Sequence, residues 1–357
     1  MDAGMDAQEL IRMVREGEPV LDMDLSKLDL SGADLAGGFF QRVRFDSANL
    51  AGADLSEAVL TECGLSNADL SGANLHLAVI TKTPLSGARL AGSRLRLARI
   101  LESDMNGADL SGADGRELVI QAASLENAGF QEADMEQAVF LETCLDKTDF
   151  SGANMTKAVM QKADLRTAQI LTANMRNVIL YESDMEGMDL AGASLVLCQC
   201  FQSNLKGVKL ARADITQASF MEADLTGANL DAAKASMAIF CRACMRGASM
   251  KETLLQNACF TEADIRNANF TGADLHQAMI DDADARGAVF SGATLEYADL
   301  SRSDVADADF GSAKMLRAKL HGVKENQATS ISAKQRALAL DTNEQRARAE
   351  AFNPSAA

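Results

Sequence analysis

The stretch AVFLETCLDKTDFSGANMTKAVM, Ala138 to Met160, carries two periods at once. Phe140, Leu145, Phe150, Met155 and Met160 recur every five residues, whereas the pair Ala-Val returns only after twenty, as Ala138-Val139 and Ala158-Val159. Outward from this stretch, nearly every position divisible by five between Leu25 and Leu320 is Leu, Ile, Phe, Met or Val. Two residues before each stands a small residue, usually Ala, with Asp or Asn between them, as in Ala53-Asp54-Leu55 and Ala73-Asn74-Leu75. No residue is inserted or lost over residues 21–320, which makes sixty words in one register. So strict a register predicts neither a domain boundary nor a functional loop within that span.

Two inward positions flanking one outward position is the alternation of a short strand, and the remaining two residues turn a corner. A helix would need apolar spacings of three and four, and that pattern is missing here. Each word is therefore one side of a coil, and the twenty-residue period predicts four sides. Gly recurs at one corner, at Gly32, Gly52, Gly72 and Gly92, as a tight turn with positive φ requires. Sixty words then make about fifteen coils.

The chain resembles the pentapeptide repeat proteins, and the resemblance covers about residues 21–320 through the words just quoted. It implies an all-β solenoid, a right-handed quadrilateral β-helix with short helical ends. Parallel coils stacked about 4.8 Å apart predict a rod on the order of 70 Å long, with stability summed over coils and their neighbours.

Matching inward positions stack every twenty residues, so Phe220, Phe240 and Phe260 form one expected ladder and Phe270, Phe290 and Phe310 another. Three inward centres are undersized, Gly115, Ala235 and Ala285, and Leu118 stands where a small residue is usual, offsetting the first. An open coil presents unpaired strand edges, so the ends need covers. Asp6 followed by Glu9, the apolar set Leu10, Met13 and Val14, then Gly17 and Pro19, predict a capping helix within residues 1–20. Residues 321–357, with SISAKQRALALDTNEQRARAEAF, predict a polar helical tail or cap.

The function classes this composition excludes are numerous. No apolar run approaches the roughly 18 residues of a membrane span, and the acidic opening MDAGMDAQEL does not resemble a secretory signal. The expectation is a cytoplasmic bacterial protein with no membrane partner. The seven Cys are irregularly spaced and read as reduced, and Cys241 and Cys244 form a single C-x-x-C whose side chains should face outward on adjacent sides. His76, His276 and His321 stand apart, so neither a zinc site nor a His-based triad is expected. No catalytic or metal residue, cofactor or small-molecule substrate is predicted, and the chain reads as a non-enzyme.

Charge raises a sharper alternative. Residues 21–320 hold 42 acids against 27 bases, a net −15. Some pentapeptide repeat proteins are mimics of duplex DNA that protect gyrase, so the resemblance implies an acidic DNA mimic as one reading. Duplex DNA of the expected rod length carries roughly 40 charges, at one per about 1.7 Å, about three times as many. The charge is also banded: residues 101–150 hold twelve acids and two bases, just after the basic belt of Arg89, Arg94, Arg96 and Arg99. Bands suit discrete docking patches, and direct nucleic-acid binding is not expected.

On three sides the outward position is Asp, Asn, Ser, Arg or Lys, but the fourth side carries Val59, Val79, Val119, Val139, Val159 and Ile179, continuing with gaps to Ile239, Cys259 and Met279. Beside them lie Leu101, Leu141, Tyr181, Phe201 and Met221. β-branched residues do favour exposed strands, yet propensity acts on all four sides and the enrichment is on one. An apolar stripe of this kind marks an interaction surface. The sequence therefore predicts a rigid scaffold or adaptor that docks a protein partner, or a second copy of itself, along one apolar face. The opening QELIRMVREGEPVLDMDLSKLDLSGADL also resembles the start of pentapeptide modules associated with type VI secretion clusters. That resemblance implies an accessory of a spike or effector-loading complex.

Overall fold

The computed structural model describes residues 6–342 and 344–345. The outermost parts of the two expected helical ends, residues 1–5, 343 and 346–357, lie outside the described residues. The chain divides into two compact units, 1–184 and 185–357, where the unbroken register predicts no boundary.

Unit 1 opens with α1, Ala7–Arg15, whose first turn is capped by Asp6 accepting from the Glu9 N–H at 2.8 Å. Leu10 and Val14 are buried, so the helix lays its apolar face on the first coil. Eight short strands follow, β1 Val20–Leu21, β2 Phe39–Gln41, β3 Val59–Thr61, β4 Val79–Thr81, β5 Arg99–Leu101, β6 Val119–Gln121, β7 Val139–Leu141 and β8 Val159–Gln161. They form one parallel sheet in sequence order. Each residue pairs with the one twenty further on, as Leu60 with Ile80. The other three sides are ladders of single bridges, such as Asp24 to Arg44, Asp29 to Asn49 and Asp34 to Asp54. Four ladders per twenty residues make the chain a parallel all-β solenoid.

The strand ladder proper spans seven twenty-residue steps, Val20 to Gln161, rather than the fifteen coils the word count predicts. The reason lies at the corner. On the strand side the residue after the inward centre stays extended from Leu21 to Gln161, as at Thr61 and Thr81, whereas the equivalent Tyr181 already opens a two-residue turn. Among the described residues of unit 2 only single bridges remain, for example Ser219 to Ile239 to Cys259 to Met279. The unit ends with α2, Ala333–Leu338, closed by a capping box of Ser332 and Gln335, and Leu340 then bridges to Lys319.

The inward positions fill as their spacing dictates. Phe220, Phe240 and Phe260 stack with centroids 5.3 and 4.9 Å apart, and Phe270, Phe290 and Phe310 at 5.0 and 4.9 Å. In unit 1, Phe130 and Phe150 stack at 4.9 Å with Phe140 edge-on to both. A Cβ placed on Gly115 would lie 2.5 Å from the Met135 thioether and 3.4 Å from Leu118. Leu118 does enter the space at Gly115, but the larger share is taken by Met135 from the next coil. At two of the small inward positions held by Thr the hydroxyl finds a main-chain acceptor, Thr148 on Leu125 O at 2.9 Å and Thr253 on Leu230 O at 2.8 Å. This offsets the cost of burying a polar group.

The outward Asp residues of the words are engaged in the corners. Asp24, Asp29, Asp54 and Asp69 each accept from the main-chain N–H two residues on, at 2.9–3.1 Å. Arg116 and Arg266 close two-point clamps on Asp114 and Asp264, at 2.5–2.8 Å. The bonds from these guanidiniums hold both carboxyls below the usual carboxylate range, and the Ser71 bonds do the same for Asp69. A carboxyl depressed by folding stabilises the fold above its unfolded value, near pH 3.9, and loses that contribution as the pH falls through the folded value. The urea midpoint should therefore be level from pH 7 to about 5 and fall steeply below about pH 4. A midpoint at pH 3 equal to that at pH 7 would show that these bonds contribute nothing.

Candidate functional site

The side that carries strands in unit 1 is the one whose outward positions are apolar. Val59, Val79, Val119, Val139 and Val159 each begin a strand, their side chains half-buried, and Ile179 bridges to Val159. The strand register does not align them in one unbroken column. Arg99 pairs with Val79 on one side and Val119 on the other, which places a fully outward guanidinium in the middle of the stripe. Val119, Val139, Val159 and Ile179 form one continuous run. Val59 and Val79 form another, extended by Phe39, which pairs with Val59 and is 44% exposed.

The neighbouring column, one residue past each inward centre, is mixed. Leu101 lies between Thr81 and Gln121, and Leu141 between Gln121 and Gln161. Tyr181 is half-buried in the equivalent position. Sequence reasoning missed Phe39 and also Leu21, 39% exposed. Phe39 shares the register of the Val column, one coil before Val59, and Leu21 that of Leu101 and Leu141, so extending each twenty-residue count toward the N-terminus would have found them. It also missed Leu77 and Leu97, exposed at corners with φ of 60°, a conformation unfavourable to a bulky side chain. Their backbone sets them two residues before Val79 and Arg99, so they widen the apolar surface on the corner flanking it.

The remaining predicted residues lie in unit 2. Ile239 is half-buried between Ser219 and Cys259 in its ladder, and Met279, 46% exposed, follows Cys259. Phe201 is half-buried at a corner, next to the coil of Met221, whose carbonyl accepts from Gln202 N–H at 3.1 Å. The run Ile239, Cys259, Met279 then ends at Asp299, so the apolar character in this unit is short.

Cys241 and Cys244 are partly buried rather than freely exposed, and they face different neighbours. The Cys241 sulfur lies 2.6 Å from that of Cys259, and Cys244 contacts Thr226 Oγ1 and Arg246 Nε at 3.2 Å. Burial first, and Cys259 second, push the Cys241 thiol up to about 12, which leaves little thiolate at neutral pH. His76 Nδ1 donates to Arg96 O, 2.9 Å away, and His276 meets the edge of Tyr297 at 5.6 Å. Among the described residues no three His, Cys, Asp or Glu side chains gather as a metal-binding group. No described helix is long and apolar enough to cross a membrane.

A four-ladder parallel solenoid built from five-residue words, with a polar surface on three sides, defines a class of repeat protein. The chain belongs to the pentapeptide repeat family: the description "Pentapeptide repeats (8 copies)" matches residues 24–76, 83–114, 120–168 and 288–324, and "Pentapeptide repeat region" matches 213–290. Among solved structures, it is similar to a pentapeptide repeat protein of the Arabidopsis thaliana thylakoid lumen, 30% identical over 30% of this chain and 71% of that one, with a TM-score of 0.23. HetL, a pentapeptide repeat protein involved in heterocyst differentiation regulation in Nostoc, is 23% identical over 88% of this chain and 97% of its own, with a TM-score of 0.19. Full-length QnrB1, a plasmid-mediated fluoroquinolone resistance protein, is 14% identical over 86% and 93%, with a TM-score of 0.20. No curated protein matches the chain by sequence.

Proposed function

We propose that this protein is a non-enzymatic scaffold of the bacterial cytoplasm that docks a protein partner on the apolar strand side of unit 1. The observation that carries this reading is the continuous run Val119, Val139, Val159 and Ile179, half-exposed on the rigid ladder and flanked by Leu141 and Tyr181. Parallel pairing holds these side chains in one row without ordering any loop, so a partner meets a preorganised surface. The resemblance of residues 8–35 to type VI secretion modules supports a spike or effector-loading complex as the partner's setting. The bonded state of the outward acids argues against the acidic mimic of DNA, since carboxylates clamped by Arg116 and Arg266 do not present an uncompensated row of charge.

A photo-cross-linking amino acid at Val139 tests the reading, with the same residue at Gln169, an outward position on a polar side, as its comparison. The expected result is a cross-linked protein partner from Val139 and none from Gln169. Equal products from both positions, or none from Val139, would remove the strand side as the docking face.

A further inference from the structure

We propose a second binding site, at the C-terminal edge of unit 2, that takes an extended peptide segment of a partner protein as one more side of the last coil. The inference starts from two main-chain donors. From Leu195 to Leu295, every twentieth residue donates its N–H to a carbonyl of the next coil at 2.7–2.8 Å. From Gly192 to Gly292 the neighbouring corner does the same at 2.7–3.0 Å. The next members of the two columns are Met315 and Ser312, and among the described residues neither N–H has a partner. Met315 is 1% exposed. A main-chain N–H left unpaired on so buried a residue is rare in folded proteins.

The rest of this edge is closed. Asp307 N–H donates to Asn326 Oδ1 at 3.1 Å and Phe310 N–H to Ser330 Oγ at 2.9 Å. On the far side Arg317 and Leu320 donate to the carbonyls of Leu338 and Leu340 at 2.7 and 2.8 Å. The acceptor on the open side is also served: the Gln335 amide donates to Ala313 O at 3.1 Å, in place of the N–H that a further coil would bring. Only acceptors are wanted there. In the coil below, the donors of Gly292 and Leu295 are met by the carbonyls of Gly311 and Lys314, so the incoming segment must present two carbonyls three residues apart.

Ser312 and Met315 line a cleft of about 680 Å³, together with Leu316 and Leu338, which are 40% and 45% exposed. Lys314, Lys334 and a single acid, Glu296, also line it, and neither lysine has an ion-pair partner among the described residues, which leaves the lining net positive. Strand addition to an open edge draws affinity from main-chain bonds and selectivity from side-chain pockets. This edge accordingly selects a segment with an apolar side chain toward Leu316 and Leu338 and an acidic one toward the two lysines. The site is built entirely from residues of unit 2, whereas the apolar strand side belongs to unit 1.

The test is selection of a seven-residue peptide display library on the full-length protein, with the selected peptide then synthesised with a fluorescent label. The expected winner carries one acidic and one apolar residue, slows amide exchange in the 311–316 fragment at least tenfold, and binds at least tenfold more weakly to Lys314→Glu/Lys334→Glu. Lys206→Glu/Lys251→Glu should leave its affinity unchanged. A library that yields no binder would overturn the proposal. So would a winner indifferent to Lys314→Glu/Lys334→Glu, or one that leaves exchange at 311–316 unchanged. Light scattering that finds a wild-type dimer made monomeric by that double substitution would assign the edge to a second copy instead.

Discussion

Phe150→Ala is expected to destabilise unit 1 by about 3–5 kcal/mol, the range for deleting a buried aromatic side chain. The ring is fully buried, stacked on Phe130 at 4.9 Å and met edge-on by Phe140 at 5.8 Å. Its removal therefore costs apolar burial and two aromatic contacts, each worth about 0.5–1.5 kcal/mol beyond area, and leaves a cavity. The coil interior has little means of collapsing into that space. Each backbone is tied to the coils above and below, as Phe150 N–H is to Gln169 O at 2.9 Å. Stability in a solenoid is a sum of neighbour terms, so weakening one interface should also divide the unfolding transition. Urea unfolding should show a lower midpoint and a broadened or two-step curve, whereas Phe150→Leu should cost less than half as much. A loss below about 1 kcal/mol would mean that the three rings are not a cooperative cluster.

Val119→Lys, Val139→Lys and Val159→Lys made together are expected to weaken partner binding at least 100-fold while leaving the fold intact. These side chains are only half-buried in the free protein and point away from the core. Covering what remains of three Val is worth roughly 3 kcal/mol in all, and about 100-fold in affinity corresponds to that amount. Bringing three ammonium groups into an apolar contact adds a desolvation cost. The comparison is the same three charges at Asn49, Gln169 and Asn174, outward positions on polar sides. Affinity measured against the partner recovered by cross-linking at Val139 should fall only for the first variant, with circular dichroism unchanged in both. Equal affinities would mean that the Val row is a consequence of strand preference alone, as β-propensity would permit.

The period of five is local physics, and it was enough to establish which side chains face inward. Alternation within a word decides inside from outside, and a period of twenty decides which words stack, as Val139 on Val159 and Phe240 on Phe260. The apolar side was legible for the same reason, since each of its residues could be assigned to a side by counting. The same count places Arg99 between Val79 and Val119, where the ladder has it, so the break in the apolar row was legible too. What counting did not settle is how side chains and corners fill the space between the coils. Met135 fills the space at Gly115 because its flexible thioether turns back one coil. The corner after each inward centre is extended at Thr61 and turned at Tyr181, a backbone choice that the same five-residue word permits either way. The N–H groups of Met315 and Ser312, unpaired among the described residues, follow from where a stack stops, and no word records that. Periodicity states how each coil repeats, whereas the tertiary structure alone decides which main-chain groups the next layer reaches and which it leaves open.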